Sequence, residues 1–144
     1  MQTDPDCVFC RIVAGAIPAA RVFENDHVLA FLDIGPLAEG HLLVIPREHY
    51  TRLEQMPPDL LACLARCLPD LARAVLAVTG APGYNLLQNN GRAAGQAVGH
   101  VHFHIIPRNE GDGLGYRWNA SSYPPGRAEE LQGRIRDVLA APPA

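Results

Sequence analysis

Lysine is absent from this sequence of 144 residues, and all twelve basic side chains are arginines. The absence excludes a catalytic lysine, either as a nucleophile or as a Schiff base. No apolar run is long enough to span a bilayer, so no membrane segment is expected. The N-terminal residues Met1–Asp6 carry acids and no basic residue, which is unlike a secretory signal. We expect a cytoplasmic protein.

Positive charge is also scarce, since the formal net charge is −3 at pH 7. No basic patch is evident, so binding to a nucleic-acid polymer is not expected. Four cysteines do not amount to a secreted disulfide framework, and disulfides are rare in the cytosol. No repeat, low-complexity segment or linker divides the chain. Its length suits one domain, residues 1–144.

Three of the six histidines lie within five residues, at His100, His102 and His104. The residues between them are apolar types that favour strands, and alternate side chains of a strand share a face. The spacing therefore predicts three imidazoles on one face of a strand, with Val101 and Phe103 on the other. An aliphatic core does not need such a row, so the row indicates chemistry.

Three interpretations fit a row of imidazoles. The row could ligate a catalytic metal if the strand bends to bring all three rings round one ion. Neutral imidazole can instead attack phosphorus near pH 7 and form a phosphoramidate, while a second imidazole donates to the phosphate oxygens. A polar strand edge without chemistry is the third. The spacing alone leaves these open.

The rest of the pattern predicts an α+β fold with an antiparallel sheet. Apolar residues at three- and four-residue steps predict one long helix from Pro58 to Gly80. A similar pattern predicts a C-terminal helix over residues 128–139. Four further strands are predicted by apolar runs between turn residues: 21–24, 27–33, 40–46 and 84–89.

A glycine-rich loop, residues 90–99, precedes the histidines. Glycines allow backbone amides to approach a ligand closely, and such amides can bind phosphate. A plain connection between strands is the alternative. The position of the loop directly before three aligned histidines favours the phosphate interpretation.

Two cysteine pairs and one acidic residue also have more than one interpretation. Cys7 and Cys10 form a Cys-x-x-Cys that could be half a zinc site, a redox pair or two buried thiols. Cys63 and Cys67 lie four residues apart on the long helix, where core thiols are favoured over half a metal site. Asp33 can cap the turn that follows its strand or bind sugar hydroxyls, and capping is favoured from the sequence alone.

The segment Gly95–Ile106 resembles the signature of the histidine triad (HIT) family, His-φ-His-φ-His-φ-φ with φ apolar. The likeness extends to residues 9–12, 29–34, 40–46, His49 and Asn89, and covers nearly the whole chain up to about Arg108. The chain is similar to bacterial members of the nucleotide-hydrolase branch, near the phosphoramidases. The resemblance implies a HIT-like fold, a homodimer, and a nucleoside phosphoramidate or dinucleoside polyphosphate as substrate.

The resemblance also implies a covalent mechanism. His102 would attack the α-phosphorus of a purine nucleotide conjugate and form a nucleotidyl-histidine, and water would then release a nucleoside monophosphate. His104 would contact the phosphate, and Asp33 would bind the ribose hydroxyls. The remaining substrate-binding residues that the resemblance implies form a phosphate loop and an apolar base pocket: Asn89, Gly95, Gln96, Ala97, Phe9, Ile12, Phe31 and Ile34.

A structural zinc ion is implied in the same way, with Cys7, Cys10, His49 and His100 as its ligands. A Cys₂His₂ set is typical of a closed tetrahedral site. The metal would hold the N-terminal segment against the catalytic strand and would not activate water. From the sequence alone, His49 is an exposed loop histidine.

Ala97 departs from the pattern, because many phosphoramidase-type members carry Ser at this position. Loss of one preorganised donor can cost about 10²–10³-fold in rate, so the preference for P–N substrates stays open. Asn89 argues against the dinucleoside-triphosphate branch, which typically has Gln there. Two other functions remain as alternatives: an enzyme that uses the triad as a catalytic metal site, and a zinc-stapled nucleotide sensor or scaffold with negligible turnover.

Overall fold

The computed structural model describes residues 1–115 and 120–142. Within them, the strands are β1 (Arg21–Glu24), β2 (Val28–Leu32), β3 (Leu42–Pro46), β4 (Gly83–Gln88) and β5 (Phe103–Arg108). The helices are α1 (Val8–Val13), α2 (Pro58–Thr79) and α3 (Arg127–Ala140). All five strands pair antiparallel in the order β1-β2-β3-β5-β4. The α+β fold with one long and one C-terminal helix is therefore confirmed.

Alternation along β2 and β3 produces two cores on opposite faces of the sheet, because successive strand side chains point to opposite sides. The even-numbered residues pack against α2: Val28, Ala30, Leu42 and Val44. The odd-numbered residues pack against α1 and the cysteines at its start: Leu29, Phe31, Leu43 and Ile45. The N-terminal cysteines are thereby placed on the sheet face opposite the long helix.

The ends of α2 agree with the sequence prediction. Pro58 occupies the first turn, where its missing amide leaves no hydrogen bond unmade. Gly80 follows the helix with φ of +68°, a left-handed conformation that glycine adopts without a Cβ clash. The helix continues through Pro69 without a break in its range.

The helix α1 was not predicted. It spans six residues, which is too short for a helical periodicity to show in the sequence. The Cys7 sulfur accepts a hydrogen bond from the Cys10 amide at 3.4 Å and so caps the helix. The Cys-x-x-Cys spacing is thus also the spacing of this cap.

The sequence predicted one strand through His100, His102 and His104, and this was wrong for His100 and His102. The strand β5 begins at Phe103, so His100 and His102 precede it. The His100 amide donates to the Val98 carbonyl at 2.9 Å, and the Val101 amide donates to the Tyr50 carbonyl at 2.7 Å. These contacts draw the backbone out of the ladder just before the strand.

The chain divides into two compact units, Met1–Leu114 and Gly115–Ala144. The first contains the sheet, α1, α2 and every predicted site residue. The second contains α3, whose predicted apolar face includes the exposed residues Ile135, Val138 and Leu139. The assignment of one domain to the whole chain stays a prediction. Among the described helices, none combines the length and apolarity needed to cross a membrane.

Candidate active site and metal centre

A cavity of about 830 Å³ opens on the α1 face of the sheet in the first unit. Eight residues predicted to act in catalysis or substrate binding line it: Phe9, Ile12, Phe31, Asp33, Ile34, Ala97, His102 and His104. Its walls are mainly apolar, and its side-chain polar groups are an acid and two imidazoles. An apolar cleft with few polar groups is typical of a small-molecule site.

One wall of this cavity was missed by the sequence analysis. It is formed by Ile17–Ala20, which connects α1 to β1. The segment is apolar and irregular, so neither a period nor a motif marks it. Its only signal was that it begins five positions after the predicted pocket residue Ile12.

His102 is held in one tautomer by a backbone carbonyl two residues earlier in the chain. Its Nδ1 donates to the His100 carbonyl at 2.7 Å. A neutral imidazole carries a single N–H, so Nε2 retains its lone pair. The ring is 5% exposed and lies edge-on to Phe9, with ring centroids 5.2 Å apart. The nitrogen that His102 offers to a ligand is therefore an unprotonated Nε2.

His104 has the opposite arrangement, because it is hydrogen-bonded to His41. The Nδ1 atom of His41 accepts the Leu37 amide proton at 3.0 Å, so the His41 proton is on Nε2. That Nε2 donates to His104 Nδ1 at 2.8 Å. His104 Nε2 must then carry the remaining proton. His102 thus offers a lone pair and His104 offers a donor, with 4.9 Å between their ring centroids.

His41 was not among the predicted site residues. It is 2% exposed and lies directly before β3, and its partner is 63 positions away in the sequence. The preceding Gly40 has φ of +91°, and a Cβ there would lie 2.6 Å from Thr79 Cγ2. Glycine at position 40 therefore allows the backbone before His41 to pass close to the end of α2. A histidine within the otherwise apolar predicted strand 40–46 was the available signal.

Burial keeps both histidines of this pair neutral. It lowers the pKa of His104 to about 4, and the nearby His102 and His41 act in the same direction. Burial also lowers the pKa of His41, although the Asp33 carboxylate opposes the shift. At neutral pH the His41–His104 hydrogen bond therefore joins two uncharged rings.

Asp33 confirms the capping interpretation, while the binding of sugar hydroxyls stays a prediction. Its Oδ1 accepts the Gly35 amide at 2.9 Å, so the side chain does cap the turn after β2. Its Oδ2 lies 3.6 Å from His41 Nε2, and the residue lines the cavity. Oδ1 is therefore used in the turn, and Oδ2 faces His41.

The predicted phosphate loop lies next to the cavity, but not all of it forms the lining. Ala97 is a lining residue, whereas Asn89, Gly95 and Gln96 are not. Gly95 has φ of +91°, and a Cβ there would be 3.7 Å from Asn89 Nδ2, so these two residues are neighbours. The Gln96 side chain is buried and bonded to backbone groups.

A second cluster contains the four predicted zinc ligands, Cys7, Cys10, His49 and His100. All four are buried, and their ligand atoms lie within 4.8 Å of one another. The two Nδ1 atoms are 3.2 Å apart, and three sulfur–nitrogen distances are 3.3, 3.5 and 3.6 Å. Ideal zinc bond lengths at tetrahedral angles give edges of about 3.3 Å for N–N and about 3.5 Å for S–N. The cluster therefore has the dimensions of a closed tetrahedral site.

The remaining ring nitrogens support this assignment. The Nε2 atom of His100 donates to the Pro46 carbonyl at 2.8 Å, and His49 Nε2 lies 4.0 Å from Asp4 Oδ2. The His100 ring therefore directs its proton outward and its Nδ1 lone pair into the cluster, as a metal ligand requires, and the Nε2 of His49 faces a carboxylate outside the cluster. Burial lowers the pKa of His100 to about 4, which keeps Nδ1 unprotonated at neutral pH.

The group Asp33, His41 and His104 also has its ligand atoms within 4.8 Å of one another. Its hydrogen bonds argue against a metal there, because the Leu37 amide occupies His41 Nδ1 and forces the proton onto Nε2. A protonated Nε2 cannot be a ligand. Cys63 and Cys67 are half-buried on α2, where the Cys67 thiol donates to the Cys63 carbonyl at 3.4 Å.

Comparison with known proteins identifies the family. The HIT domain family model matches residues 14–111. The chain belongs to the HIT family. An uncharacterized HIT-like protein of Methanocaldococcus jannaschii is 54% identical to this HIT protein over 107 residues, which is 74% of this chain and 82% of that one. An adenosine 5'-monophosphoramidase of Candida albicans is 39% identical over an alignment of 145 positions, which covers 97% of this chain and 95% of that one.

Solved structures agree with the family assignment. The crystal structure of a member of the HIT family from Bacillus subtilis superposes with a TM-score of 0.89 at 41% identity, covering 95% of this chain and 99% of that one. A Zn-bound histidine triad family protein from Mycobacterium smegmatis superposes with a TM-score of 0.72 at 38% identity, covering 95% and 98%. The HIT-like fold predicted from the sequence is confirmed.

Proposed function

We propose that this HIT protein is a nucleotide hydrolase or transferase that acts through a covalent nucleotidyl-histidine at His102. Its substrate is a purine nucleotide conjugate, and its product is a nucleoside monophosphate. The observation that carries the proposal is the pairing of an unprotonated Nε2 on His102 with an Nε2–H on His104 at one apolar cavity. The similarity to an adenosine 5'-monophosphoramidase supports the same chemistry.

In the first step, the lone pair of His102 Nε2 forms a bond to the α-phosphorus, and the bond to the leaving group breaks. The leaving group departs with the bonding electrons and takes up a proton from the solvent, and the attacking water of the second step returns one to it. His104 Nε2–H donates to the phosphate oxygens as charge develops on them. The resulting phosphoryl-imidazolium is stabilised by its Nδ1–H bond to the His100 carbonyl.

In the second step, water attacks the same phosphorus and loses a proton. The N–P bond breaks, and its electrons return to His102 Nε2. The nucleoside monophosphate leaves, and the neutral imidazole is restored. Phe9, Ile12 and Phe31 supply an apolar surface for the base during both steps, and Asp33 would bind the ribose hydroxyls. Ile34 also lines the cavity, although it is fully exposed.

We propose zinc as the metal of the Cys₂His₂ cluster, with a structural role. The edges of the cluster and the Zn-bound relative from Mycobacterium smegmatis support this assignment. Four protein ligands leave no open position for a water molecule. The metal would instead tie α1 to the segments that carry His49 and His100. The Phe9 ring, edge-on to His100 at 5.8 Å and to His102 at 5.2 Å, would be held with it.

We also propose that two copies of the chain form a homodimer through β4. Among the described strands, β4 pairs only with β5, so one of its edges is open. Tyr84, Leu86 and Leu87 on this strand are 42%, 49% and 38% exposed. An open strand edge with exposed apolar side chains favours pairing with another chain. Light scattering should give the mass of two chains, and the mass of one chain would contradict the proposal.

The covalent mechanism is tested with His102→Ala and adenosine monophosphoramidate. The variant should lose turnover by at least about 10⁴-fold, as when other covalent nucleophiles are removed, while AMP binding measured by calorimetry persists. Mass spectrometry of the quenched wild-type reaction should find a nucleotidyl adduct on His102. His27→Ala is the matched control, because His27 is exposed and outside the cavity.

Three outcomes would contradict the proposal in different ways. Undiminished turnover in His102→Ala would remove the nucleophile. Loss of activity on metal removal with full recovery on metal return, and no adduct, would indicate a catalytic metal. Tight nucleotide binding without turnover of any substrate would indicate a sensor or scaffold. The preference for one leaving group over another, which Ala97 leaves undecided, is measured with a panel of adenosine monophosphoramidate, an aminoacyl-adenylate and diadenosine polyphosphates.

A further inference from the structure

Gln96 does not present its side chain to the cavity, although it lies in the predicted phosphate loop. It is 8% exposed. Its Oε1 accepts the Gly91 amide at 2.7 Å, and its Nε2 donates to the Thr51 carbonyl at 2.7 Å and the Val98 carbonyl at 3.0 Å. Both amide protons and the amide oxygen are therefore engaged. The side chain has no donor left for a phosphate.

These three hydrogen bonds join the phosphate loop to another part of the chain. Gly91 and Val98 are the two ends of the loop that contains Gly95 and Ala97. The Gln96 amide bonds to Gly91 and Val98 within the loop and to the Thr51 carbonyl outside it. The loop is thereby anchored to a segment 45 positions earlier in the sequence. The three hydrogen bonds are part-buried, and the Gln96 side chain itself has little access to water, so a Gln96 amide that loses these partners is poorly solvated.

The anchoring segment begins at a metal-cluster residue. Thr51 follows His49 by two positions, and Tyr50 between them accepts the Val101 amide at 2.7 Å. His100 is the neighbour of Val101, so the two clustered histidines flank this hydrogen bond. A metal ion bound to both Nδ1 atoms would fix the His49 segment against the His100 segment.

A second bond joins the same two stretches of chain. The Leu53 amide donates to Asn90 Oδ1 at 2.9 Å. The stretch 49–53 therefore runs from a metal-cluster residue to the base of the phosphate loop, and contacts the loop along its length. Gln96 is the side chain that joins this stretch to both ends of the loop.

We propose that Gln96 is a positioning residue that couples the metal cluster to the phosphate-binding loop, so that zinc binding strengthens the binding of the nucleotide phosphate. The inference rests on the proposed nucleotide and zinc sites. Zinc binding orders residues 49–51, Gln96 transmits that order to Gly91 and Val98, and the loop amides between them are held ready for the phosphate. By linkage, a bound nucleotide monophosphate strengthens zinc binding by the same factor.

This route predicts an effect on phosphate that is separate from any effect on the base. Loss of zinc also releases Phe9, which contacts the base pocket, so AMP and adenosine should both bind more weakly. Only AMP has a phosphate for the Gln96-anchored loop. The zinc effect on AMP should therefore exceed that on adenosine by at least about fivefold, the lower end of typical coupling between sites.

The experiment is calorimetric titration of AMP and of adenosine into zinc-loaded and zinc-stripped protein. It is run at a temperature at which circular dichroism shows both forms folded. Three proteins are compared: the wild type, Gln96→Met and Gln132→Met. Methionine matches glutamine in length and makes none of the three bonds. Gln132 is exposed on α3, in the other compact unit, and so controls for the substitution itself.

The expected result is an AMP-specific zinc effect in the wild type and in Gln132→Met, and equal zinc effects on AMP and adenosine in Gln96→Met. Equal effects in the wild type, or a preserved AMP-specific effect in Gln96→Met, would overturn this inference alone. A wild type that binds no AMP in either form would overturn the proposed function itself. If Gln96→Met does not fold, Gln96→Asn, whose amide is too short to reach all three partners, replaces it.

Discussion

Two clusters of histidines lie close together in this protein, and their hydrogen bonds give them opposite chemistry. In the metal cluster, His49 and His100 turn their Nδ1 atoms toward each other and direct Nε2 to oxygen atoms. In the cavity, His41 directs an Nε2–H at the Nδ1 of His104. In the metal cluster, the Nδ1 lone pair of His100 is free to bind an ion. In the cavity, the Nδ1 lone pair of His104 is already occupied by the proton that His41 donates.

The comparison shows that residue type does not decide the role of an imidazole. Each ring has two nitrogens, and the partner of one nitrogen determines what the other can do. A carbonyl partner at Nε2 leaves His100 with a free Nδ1 lone pair, which suits the proposed metal, whereas a carbonyl partner at Nδ1 leaves His102 with a free Nε2 lone pair, which suits the proposed attack. An amide partner at Nδ1 makes His41 a donor. Four predictions test this distinction, beginning with the largest effect.

Removal of one metal ligand should separate the two clusters most clearly. Cys10→Ser should reduce bound zinc from one ion per chain to near zero and lower the melting temperature by about 10 °C or more, because the metal supplies folding energy. His41→Phe should keep the full zinc content. Metal analysis and thermal unfolding of both variants make the test. Loss of zinc from His41→Phe would show that the clusters are not chemically distinct.

Replacement of His41 should act on turnover. His41→Phe removes the donor to His104 Nδ1 and should lower kcat by about 10–100-fold, the effect typical of residues that orient a functional histidine. His41→Gln is the matched variant, since its amide can replace the Nε2–H, and it should retain more of the activity. Steady-state kinetics with adenosine monophosphoramidate decides the matter. Equal rates in the two variants would refute an orienting hydrogen bond.

Addition of a hydrogen-bond donor at the cavity should change turnover and leave the metal cluster unaffected. Ala97→Ser restores a hydroxyl near His102 and His104, so turnover of a phosphoramidate should rise by about tenfold, below the full worth of an oxyanion donor. Zinc content should not change. Hydrolysis of the P–N substrate and of a diadenosine polyphosphate should be compared in both proteins. A gain on the polyphosphate alone would indicate that Ala97 does not set P–N preference.

Acidification should produce the smallest effect. The pKa of His104 is about 4 in the folded protein, against an ordinary value near 6.5. Between these values the unfolded chain binds more protons, so the free energy of unfolding should decrease as pH falls from about 6.5 to 4 and stay level above that range. The slope should be shallower in His104→Gln. Urea unfolding at pH 7, 6 and 5 measures both slopes, and equal slopes would contradict the assignment.

Much of this architecture could be predicted from the sequence, because α2 is long and periodic and the central strands are apolar runs bounded by turn residues. The contacts that were missed are tertiary. His41 was overlooked since its partner His104 lies 63 positions away. The partners of the Gln96 side chain were missed because they are backbone groups, which no side-chain pattern reveals, and the place of Gln96 in a phosphate loop stays a prediction. The backbone leaves the strand geometry before Phe103 for the same reason, since the Val101 amide bonds to Tyr50.

His100 contributes through two independent parts of the same residue. Its side chain belongs to the metal cluster, and its carbonyl accepts the Nδ1–H of His102. Every amino acid supplies a carbonyl, so a mutational scan at position 100 would report only the loss of the metal ligand. The carbonyl of His100 that orients the proposed nucleophile is therefore the same in every variant, and replacing that peptide bond with an ester or thioamide by semisynthesis is the way to alter it.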